Sequence, residues 1–224
     1  VMRQLHDANY EAYLVGGGVR DLLLKASPKD FDVATNATPE EVRRLFRGAR
    51  IIGRRFQIVH VRMGREIIEV TTFRGQEENT QKQIRSDDGM LLRDNVYGTL
   101  ETDAERRDFT VNALYYNAKD FTLIDYCGGL RDLQKRRLRI IGDPATRYKE
   151  DPVRMLRALR FAAKLGFSIE EKTAAPIRQL GPLLNNVSEA RMFEEILKLF
   201  LGGSATATFN LIRDYDIVQH LFPG

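Results

Sequence analysis

This 224-residue sequence contains little of what several common classes of protein require. Its one cysteine, Cys127, excludes an internal disulfide framework and fits a reducing compartment, so we expect a cytoplasmic protein. Three scattered histidines and that cysteine leave no plausible zinc cluster. No apolar run is as long as a membrane span, which argues against stable membrane insertion. The sequence also lacks the Gly-x-x-x-x-Gly-Lys-Ser/Thr loop of P-loop kinases and ATPases.

The charge balance gives a weak indication of a nucleic-acid partner. Lysine and arginine total 35 against 31 acidic residues, for a net charge of +4 and an isoelectric point near 9.2. Basic residues cluster at Arg106–Arg107, at 135–139 and at 154–160. Such clusters are usually solvated faces, so they gain meaning only beside a site that handles phosphates.

The most informative segment is a glycine-rich turn followed by two aspartates. A short apolar run, Tyr13–Val15, predicts a strand that stops at Gly16–Gly18, and a helix is expected from Val19. Glycines at such a junction let backbone N–H groups approach a phosphate, and the helix N-terminus adds positive potential. In an extended segment Asp30 and Asp32 point to the same face and can hold Mg²⁺ together. The order of these features predicts a nucleotide-handling site.

A third acidic candidate is Glu69, within the apolar run Ile67–Phe73. A carboxylate on one side of an apolar strand needs either a metal or an ion pair, and the sequence leaves both open. With Asp30 and Asp32 it would complete a catalytic site for two Mg²⁺ ions. One ion would activate an attacking 3′-hydroxyl, and the other would stabilise the triphosphate and the leaving pyrophosphate.

The chain divides into a mixed part and a helical part, an α+β organisation. Thr38, Pro39 and Glu41 predict a helix start with a capping box, and Gly64–Arg65 predicts a hairpin. The polar stretch 75–98 is interpreted as a long mobile loop. Residues 1–140 are predicted to form a catalytic head with a small mixed sheet and helices. Residues 141–224 are predicted to form an all-helical neck whose C-terminus is expected to be truncated.

Five segments follow one another along the chain: Leu14–Asp21 with Asp30–Asp32, Arg106–Leu114, Asp125–Leu133, Glu150–Phe161 and Ser188–Glu195. They resemble the motifs of the class II nucleotidyltransferases, the family of bacterial poly(A) polymerases and tRNA CCA-adding enzymes. The resemblance covers essentially the whole chain. It implies a nucleotidyltransferase head and a helical neck, two Mg²⁺ ions, ATP as a substrate and an RNA 3′ end as the acceptor.

The resemblance also assigns roles to individual residues. It places Gly16, Gly17 and Arg20 at the triphosphate, and Arg107 and Asp108 at the nucleotide. Asn112 is polar in an apolar segment and should be hydrogen-bonded, either to the ligand or to the backbone.

A further set of residues is assigned to the nucleotide base in the helical part. Asp151 could instead simply cap a helix, which is the default interpretation of an aspartate before proline. Three arginines that recur every third residue could likewise be solvated. The family resemblance implies that all of them lie at or near the base: Asp151, Arg154, Arg157 and Arg160.

The choice between the two activities of the family rests on resemblance alone. The run Gly53–Val61 has Gln57–Ile58 where CCA-adding enzymes more often have Gly-Thr, and it resembles the bacterial poly(A) polymerase form, as does the run from Met90 to Asn95. We therefore expect addition of AMP to RNA 3′ ends, with CCA addition as the alternative. An RNA-binding module with decayed carboxylates is disfavoured, because Asp30, Asp32 and Glu69 are all present. A monomer is expected.

Overall fold

The computed structural model describes residues 1–53, 57–75, 83–85, 91–94 and 97–222, with backbone only for 83–85 and 91–94. The chain forms two compact units. The first contains Val1–Ile84 and Leu92–Leu130, and the second contains Arg85–Leu91 and Arg131–Gly224. Within the described ranges, no helix is long and apolar enough to cross a membrane.

Strands and helices alternate in the first unit, whereas helices dominate the second. The strands are β1 Ala12–Val15, β2 Asp32–Thr35, β3 Arg50–Ile52, β4 Ile58–Met63, β5 Glu66–Thr72, β6 Gln83–Arg85, β7 Leu91–Asp94, β8 Leu114–Asn117, β9 Thr122–Asp125, β10 Arg137–Leu138 and β11 Ser168–Ile169. The helices are α1 Met2–Asp7, α2 Gly17–Leu23, α3 Pro39–Leu45, α4 Leu100–Arg106, α5 Gly129–Gln134, α6 Pro144–Glu150, α7 Val153–Leu165, α8 Glu171–Leu180, α9 Glu189–Leu201, α10 Ala205–Asp214 and α11 Val218–Leu221. Short 3₁₀ turns cover Thr110–Asn112 and Gly181–Asn186.

The first unit is built on a seven-stranded mixed sheet with the order β3-β4-β5-β2-β1-β8-β9. Among its described strands, β2 and β5 run parallel and every other neighbouring pair is antiparallel. The predicted hairpin at Gly64–Arg65 joins β4 to β5. The parallel pairing sets Asp32 beside Glu69 in register, which positions the candidate site. The α+β class with a mixed sheet is confirmed.

Alternation along the strands gives the two faces of the sheet separate cores. Val33 in β2 and Val70 in β5 pack with α1 and α3 residues on one face. Ala34, the next residue of β2, packs with Phe73 and α4 residues in another cluster. Because side chains alternate along a strand, Asp32 shares the face of Ala34. Asp32 therefore stands on the side of the sheet that α4 covers.

Local signals fix the start of α3, as the sequence predicts, and the end of α7. Thr38 accepts a hydrogen bond from the Glu41 N–H at 3.3 Å, and the Glu41 carboxylate accepts from the Thr38 N–H at 2.7 Å. This confirms the capping box that starts α3. Helix α7 ends at Gly166, whose φ of +63° is the left-handed conformation that glycine adopts without strain.

The second unit is organised around α7. Its apolar residues Met155, Leu156 and Leu159 are fully buried, and α7 packs against α9 and α10. The unit is not entirely helical, since β10 and β11 pair in parallel. The two-residue strand β11 precedes α8, which begins at Glu171. Such a short strand leaves no periodicity in the sequence.

Apart from Arg85–Leu91, the second compact unit begins at Arg131, and the domain boundary at 140 stays a prediction. The Asp132 side chain is fully buried and pairs with Arg137 at 2.5 Å and with Arg139 at 2.8 Å. Residues 137–138 also pair with β11. These contacts tie residues 131–139 to the second unit.

The stretch 75–98, interpreted from the sequence as a loop, contains the paired strands β6 and β7. Its remaining residues between 76 and 96 lie outside the described part of the chain. At its base, an isolated bridge joins Arg74 to Tyr97. A Cβ on Gly75 would lie 2.5 Å from the Tyr97 carbonyl oxygen, so these two backbones pack too closely for a side chain.

Candidate active site

Gly16 brings the backbone of the glycine turn next to two charged side chains. It follows β1 directly and adopts a φ of +78°, a conformation that favours glycine. A Cβ placed on Gly16 would lie 3.5 Å from Asp32 Oδ2 and 3.6 Å from Arg107 Nη1. Three predicted site residues, far apart in the sequence, therefore meet at this turn.

Asp32 and Glu69 form the acidic part of the site. They are register partners on the parallel strands β2 and β5. Burial raises the pKa of Asp32 above its ordinary value, the neighbouring Glu69 and Asp30 raise it further, and Arg107 opposes them. Asp30 itself is exposed and lies two residues before β2 begins. The ionised carboxylates thus repel one another, a situation that a bound cation would relieve.

The arrangement is not a preformed metal cage. In the described part of the chain, no three His, Cys, Asp or Glu side chains lie close enough together to hold a metal ion. The Glu69 Oε1 atom instead lies 3.3 Å from His60 Nε2. His60 is the register partner of Glu69 on β4. Glu69 therefore contacts His60 in this structure, and its role as a metal ligand stays a prediction.

Arg107 is held in place by two buried residues that were not among the sequence predictions. Its Nε donates to the Tyr115 hydroxyl at 2.8 Å, and its Nη2 lies 3.2 Å from Asp103 Oδ2. The Tyr115 hydroxyl donates to the same Asp103 oxygen at 2.6 Å. Asp103 is 4% exposed and Tyr115 is fully buried. The i,i+4 spacing of Asp103 and Arg107 was a signal that could have indicated this pair.

The same network fixes the charge states around Arg107. Burial works to lower the pKa of Arg107, but Tyr115 and Asp103 outweigh it, so the pKa lies above its usual value. Burial raises the pKa of Tyr115, and Asp103 raises it further against the opposing effect of Arg107. Arg107 therefore stays a cation and Tyr115 a neutral phenol, both with donors aimed at Asp103.

A second network joins the glycine-rich turn to the segment after α4. Arg20 is 2% exposed, and its guanidinium donates to Asp21 Oδ1 at 2.6 and 2.8 Å and to Asn112 Oδ1 at 2.6 Å. The Asn112 amide donates to Asp108 Oδ1 at 3.2 Å. Asn112 therefore hydrogen-bonds to the side chains of Arg20 and Asp108. The sequence left the ligand and the backbone as its two possible partners, and neither of these bonds is to the backbone. A Cβ on Gly17 would lie 3.4 Å from Arg20 Nη2, so Gly17 borders this network.

In the second unit, Asp151 has a partner far away in the sequence. Its Oδ2 lies 2.7 Å from Arg191 Nη2. The interpretation of Asp151 as an N-cap is wrong, because Asp151 ends α6 and Pro152 occupies the N-cap position of α7. Arg191 lies in the last of the five motifs but was not among the predicted site residues.

The three arginines of α7 are half-buried rather than fully solvated. Arg154 Nη1 donates to the Arg147 carbonyl at 2.8 Å and lies 3.1 Å from Glu150 Oε2. The guanidinium groups of Arg157 and Arg160 lie over the Phe161 ring, at 5.3 and 4.5 Å from its centroid. These contacts hold the arginines on one side of the helix, opposite its buried apolar residues.

Comparison with known proteins identifies relatives of both units. A family model described as "Poly A polymerase head domain" matches residues 12–139, and one described as "Probable RNA and SrmB- binding site of polymerase A" matches residues 166–224. The whole chain is 57% identical to Poly(A) polymerase I of Salmonella typhi and covers 49% of that protein. It is 40% identical, over 98% of its length, to a CCA-adding enzyme of Lactobacillus helveticus, of which it covers 53%.

A solved structure has the same fold. The CCA-adding enzyme of Bacillus stearothermophilus, in complex with CTP, matches the whole chain with a TM-score of 0.84 and 36% sequence identity, and 52% of that protein is covered. The chain thus spans about half the length of the relatives it matches.

Proposed function

Since this chain belongs to the family of poly(A) polymerases and tRNA nucleotidyltransferases, we propose that it adds AMP from ATP to RNA 3′ ends without a template. In this reaction the 3′-oxygen of the RNA attacks the α-phosphorus of ATP. The bond from that phosphorus to the β-phosphate oxygen breaks, pyrophosphate leaves, and the hydroxyl proton is released.

The observation that carries the transfer chemistry is the meeting of Gly16, Asp32 and Arg107 at the end of β1. A glycine turn, a carboxylate and a fixed cation are groups that can bind a triphosphate and its metal. The repulsion of the Asp32 carboxylate by Glu69 and Asp30 also lowers the stability of the fold, so stability does not explain this arrangement. Perturbed carboxylates of this kind are typical of functional sites.

The residues fit Mg²⁺ in the way that this ion usually binds. Mg²⁺ is commonly held by one or two carboxylates together with substrate phosphates and water. Asp30 and Asp32 would supply the carboxylates, with Glu69 as the third catalytic acid. When bound, the metal would neutralise phosphate charge and favour ionisation of the 3′-hydroxyl. Two ions are proposed, as a two-metal transfer would require.

The surrounding residues bind and orient the nucleotide in this proposal. Arg107, which Asp103 and Tyr115 hold in position, faces the triphosphate beside Gly16. Arg20, bonded to Asn112, and the neighbouring Gly17 are also assigned to the triphosphate. The remaining members of the predicted nucleotide-binding set keep the roles that the family resemblance implies. Asp108 and Asn112 are assigned to the nucleotide, and the residues assigned to the base are Asp151, Arg154, Arg157 and Arg160.

The difference in sequence identity favours poly(A) addition. Poly(A) polymerase I sequences are 56–58% identical to this chain, whereas three curated CCA-adding enzymes are 37–42% identical. The predicted discriminating runs, 53–61 and 90–95, lie partly outside the described residues. CCA addition stays the second candidate, because the solved structures that this chain resembles are CCA-adding and tRNA-processing enzymes. A cytoplasmic location and a monomeric state stay predictions.

The experiment that separates the two candidates offers ATP and CTP separately, with Mg²⁺, to an oligo(A) primer and to a tRNA that lacks its terminal CCA. We expect repeated AMP addition to oligo(A) and no use of CTP. Two C residues followed by one A on the tRNA alone would make the protein a CCA-adding enzyme. No incorporation into either acceptor would contradict both candidates.

A further inference from the structure

The most basic stretch of the chain lies outside the five family motifs described above. Between residues 42 and 65 the sequence contains eight arginines, one histidine and no acidic residue. The arginines are Arg43, Arg44, Arg47, Arg50, Arg54, Arg55, Arg62 and Arg65. The net charge of the whole chain is only +4, so positive charge is concentrated in this one short segment.

Folding brings four of these arginines around one groove of the first unit. The groove has a volume of about 740 Å³, and its walls include Arg47 after α3, Arg50 in β3, Arg62 in β4 and Arg65 in the β4–β5 turn. All four are exposed. In the described part of the chain, no acidic residue lines the groove, and no carboxylate lies within ion-pairing distance of these guanidinium groups.

One wall of the groove belongs to the candidate active site as well. His60 lines the groove, and its Nε2 lies 3.3 Å from Glu69, the register partner of Asp32. Arg50 is the register partner of His60, and Arg62 comes two residues later on the same face of β4. Side chains on neighbouring strands therefore form a row that leads from Arg50, through His60, to Glu69 and Asp32.

The groove suits phosphodiester groups. A guanidinium group can bind a phosphate through two parallel hydrogen bonds, and four such groups without acidic partners attract a polyanion. A volume of this size holds a ligand of about nucleotide dimensions. Exposed Ile67 on the groove wall offers an apolar surface for a base or a ribose.

We propose that this arginine groove binds the phosphates of the RNA strand just upstream of its 3′ end. The inference rests on the proposed function, since the acceptor strand must end at Asp32 while its upstream phosphates continue along the protein. A single-stranded RNA meets that requirement, and the shared wall at His60 favours it over an unrelated anion. The contact lies outside residues 166–224, which match the family model that mentions RNA.

The test compares two double variants that remove the same charge from the same basic stretch. Arg50→Gln with Arg62→Gln alters the groove, and Arg43→Gln with Arg44→Gln alters exposed residues of α3 that do not line it. Binding of a fluorescent oligo(A) is measured by anisotropy at several salt concentrations. Each phosphate contact to a single strand contributes about 0.7 to the slope of log K against log salt. For the groove variant, we expect the magnitude of this slope to fall by about 1.4. We also expect its affinity for oligo(A) to be about tenfold lower near 0.1 M salt.

Three controls make the outcome decisive. The KM for ATP should stay unchanged in the groove variant, whereas a raised KM for ATP with normal RNA binding would assign the groove to a triphosphate. Equal losses in the α3 variant would overturn the proposal in favour of general charge attraction. Loss of binding to phosphatidylglycerol vesicles, with RNA binding unchanged, would indicate a lipid surface instead.

Because the measurement is of binding, it is independent of the proposed reaction. The wild-type protein could add no nucleotide while the groove variant shows a lower RNA affinity and a smaller salt slope. That result would contradict the proposed function and support the proposed RNA-binding groove. If transfer occurs and the groove variant binds RNA like the wild type, the groove proposal fails alone.

Discussion

The Asp32→Asn substitution should make the protein more stable while removing a catalytic group. Burial, Glu69 and Asp30 all disfavour the ionised form of Asp32, and only Arg107 among the named neighbours favours it. Like charges at facing cross-strand positions cost about 0.2–1 kcal/mol. With the burial penalty added and the attraction of Arg107 subtracted, we expect a gain on the order of 1 kcal/mol in unfolding free energy. That corresponds to about 2–4 °C in thermal midpoint for a chain of this size.

Asp120→Asn provides a control of opposite sign in the same unit. The exposed Asp120 carboxylate accepts hydrogen bonds from the Thr122 N–H at 3.1 Å and its hydroxyl at 2.7 Å, and these bonds lower the pKa of Asp120. Its neutralisation should therefore lower the thermal midpoint. Both variants are compared with wild type by calorimetry or circular dichroism at pH 7. A midpoint for Asp32→Asn below that of wild type would refute the reasoning.

The pH dependence follows from the raised pKa of Asp32. The penalty for the ionised carboxylate is fully present above its folded-state pKa, and it is absent below the ordinary value of 3.8 that applies to the unfolded chain. The stability advantage of Asp32→Asn should therefore be present at pH 7 and shrink as the pH falls through the folded-state pKa. An advantage that grows on acidification would contradict this assignment.

Three further substitutions test other parts of the account. Tyr115→Phe removes the hydroxyl that positions Arg107, so we expect a loss of about 1–3 kcal/mol in urea unfolding and a raised KM for ATP, neither of which the neighbouring Tyr116→Phe should show. A KM equal to wild type would leave Tyr115 with a purely structural role. Arg154→Ala should weaken the preference for ATP over CTP more than total incorporation, and unchanged selectivity would remove Arg154 from the base site. Thr38→Ala should cost about 1 kcal/mol in urea unfolding through loss of the capping box, and no change would argue against that contact.

Local features of the fold could be predicted because their causes lie within a few residues. The capping box needs only Thr38 and Glu41, and the hairpin needs only the turn at Gly64–Arg65. The end of α7 at Gly166 follows from one glycine after an amphipathic run. In each case the sequence contains both partners of the interaction side by side.

Long-range partners could not be predicted in this way. Asp151 comes after a helix and precedes a proline, so local rules make it a cap, yet Arg191, forty residues later, binds its carboxylate. Strand β11 forms because β10 is available thirty residues earlier, not because Ser168–Ile169 have a strand pattern. Such contacts depend on the tertiary fold, which periodicity does not encode.

The candidate site shows both situations. Gly16 and Asp32 were predicted because the turn and the Asp-x-Asp are short motifs, and the structure places them side by side. The support of Arg107 by Tyr115 and the pairing of Glu69 with His60 depend on strand register and helix packing, which the sequence does not reveal. The arginine groove also depends on the fold, since the turn after α3, strands β3 and β4 and the β4–β5 turn contribute its arginines.

The most direct test of the central claim measures incorporation of α-labelled AMP into oligo(A), with Mg²⁺, by the wild type and by Asp30→Ala, Asp32→Asn and Asp120→Asn. We expect both site variants to lose more than about 100-fold in rate, since even the partners of metal ligands cost about 10–100-fold when removed. Asp120→Asn should stay close to wild type, and circular dichroism should show all variants folded. A folded Asp32→Asn variant that transfers AMP within a few-fold of the wild-type rate would contradict the account.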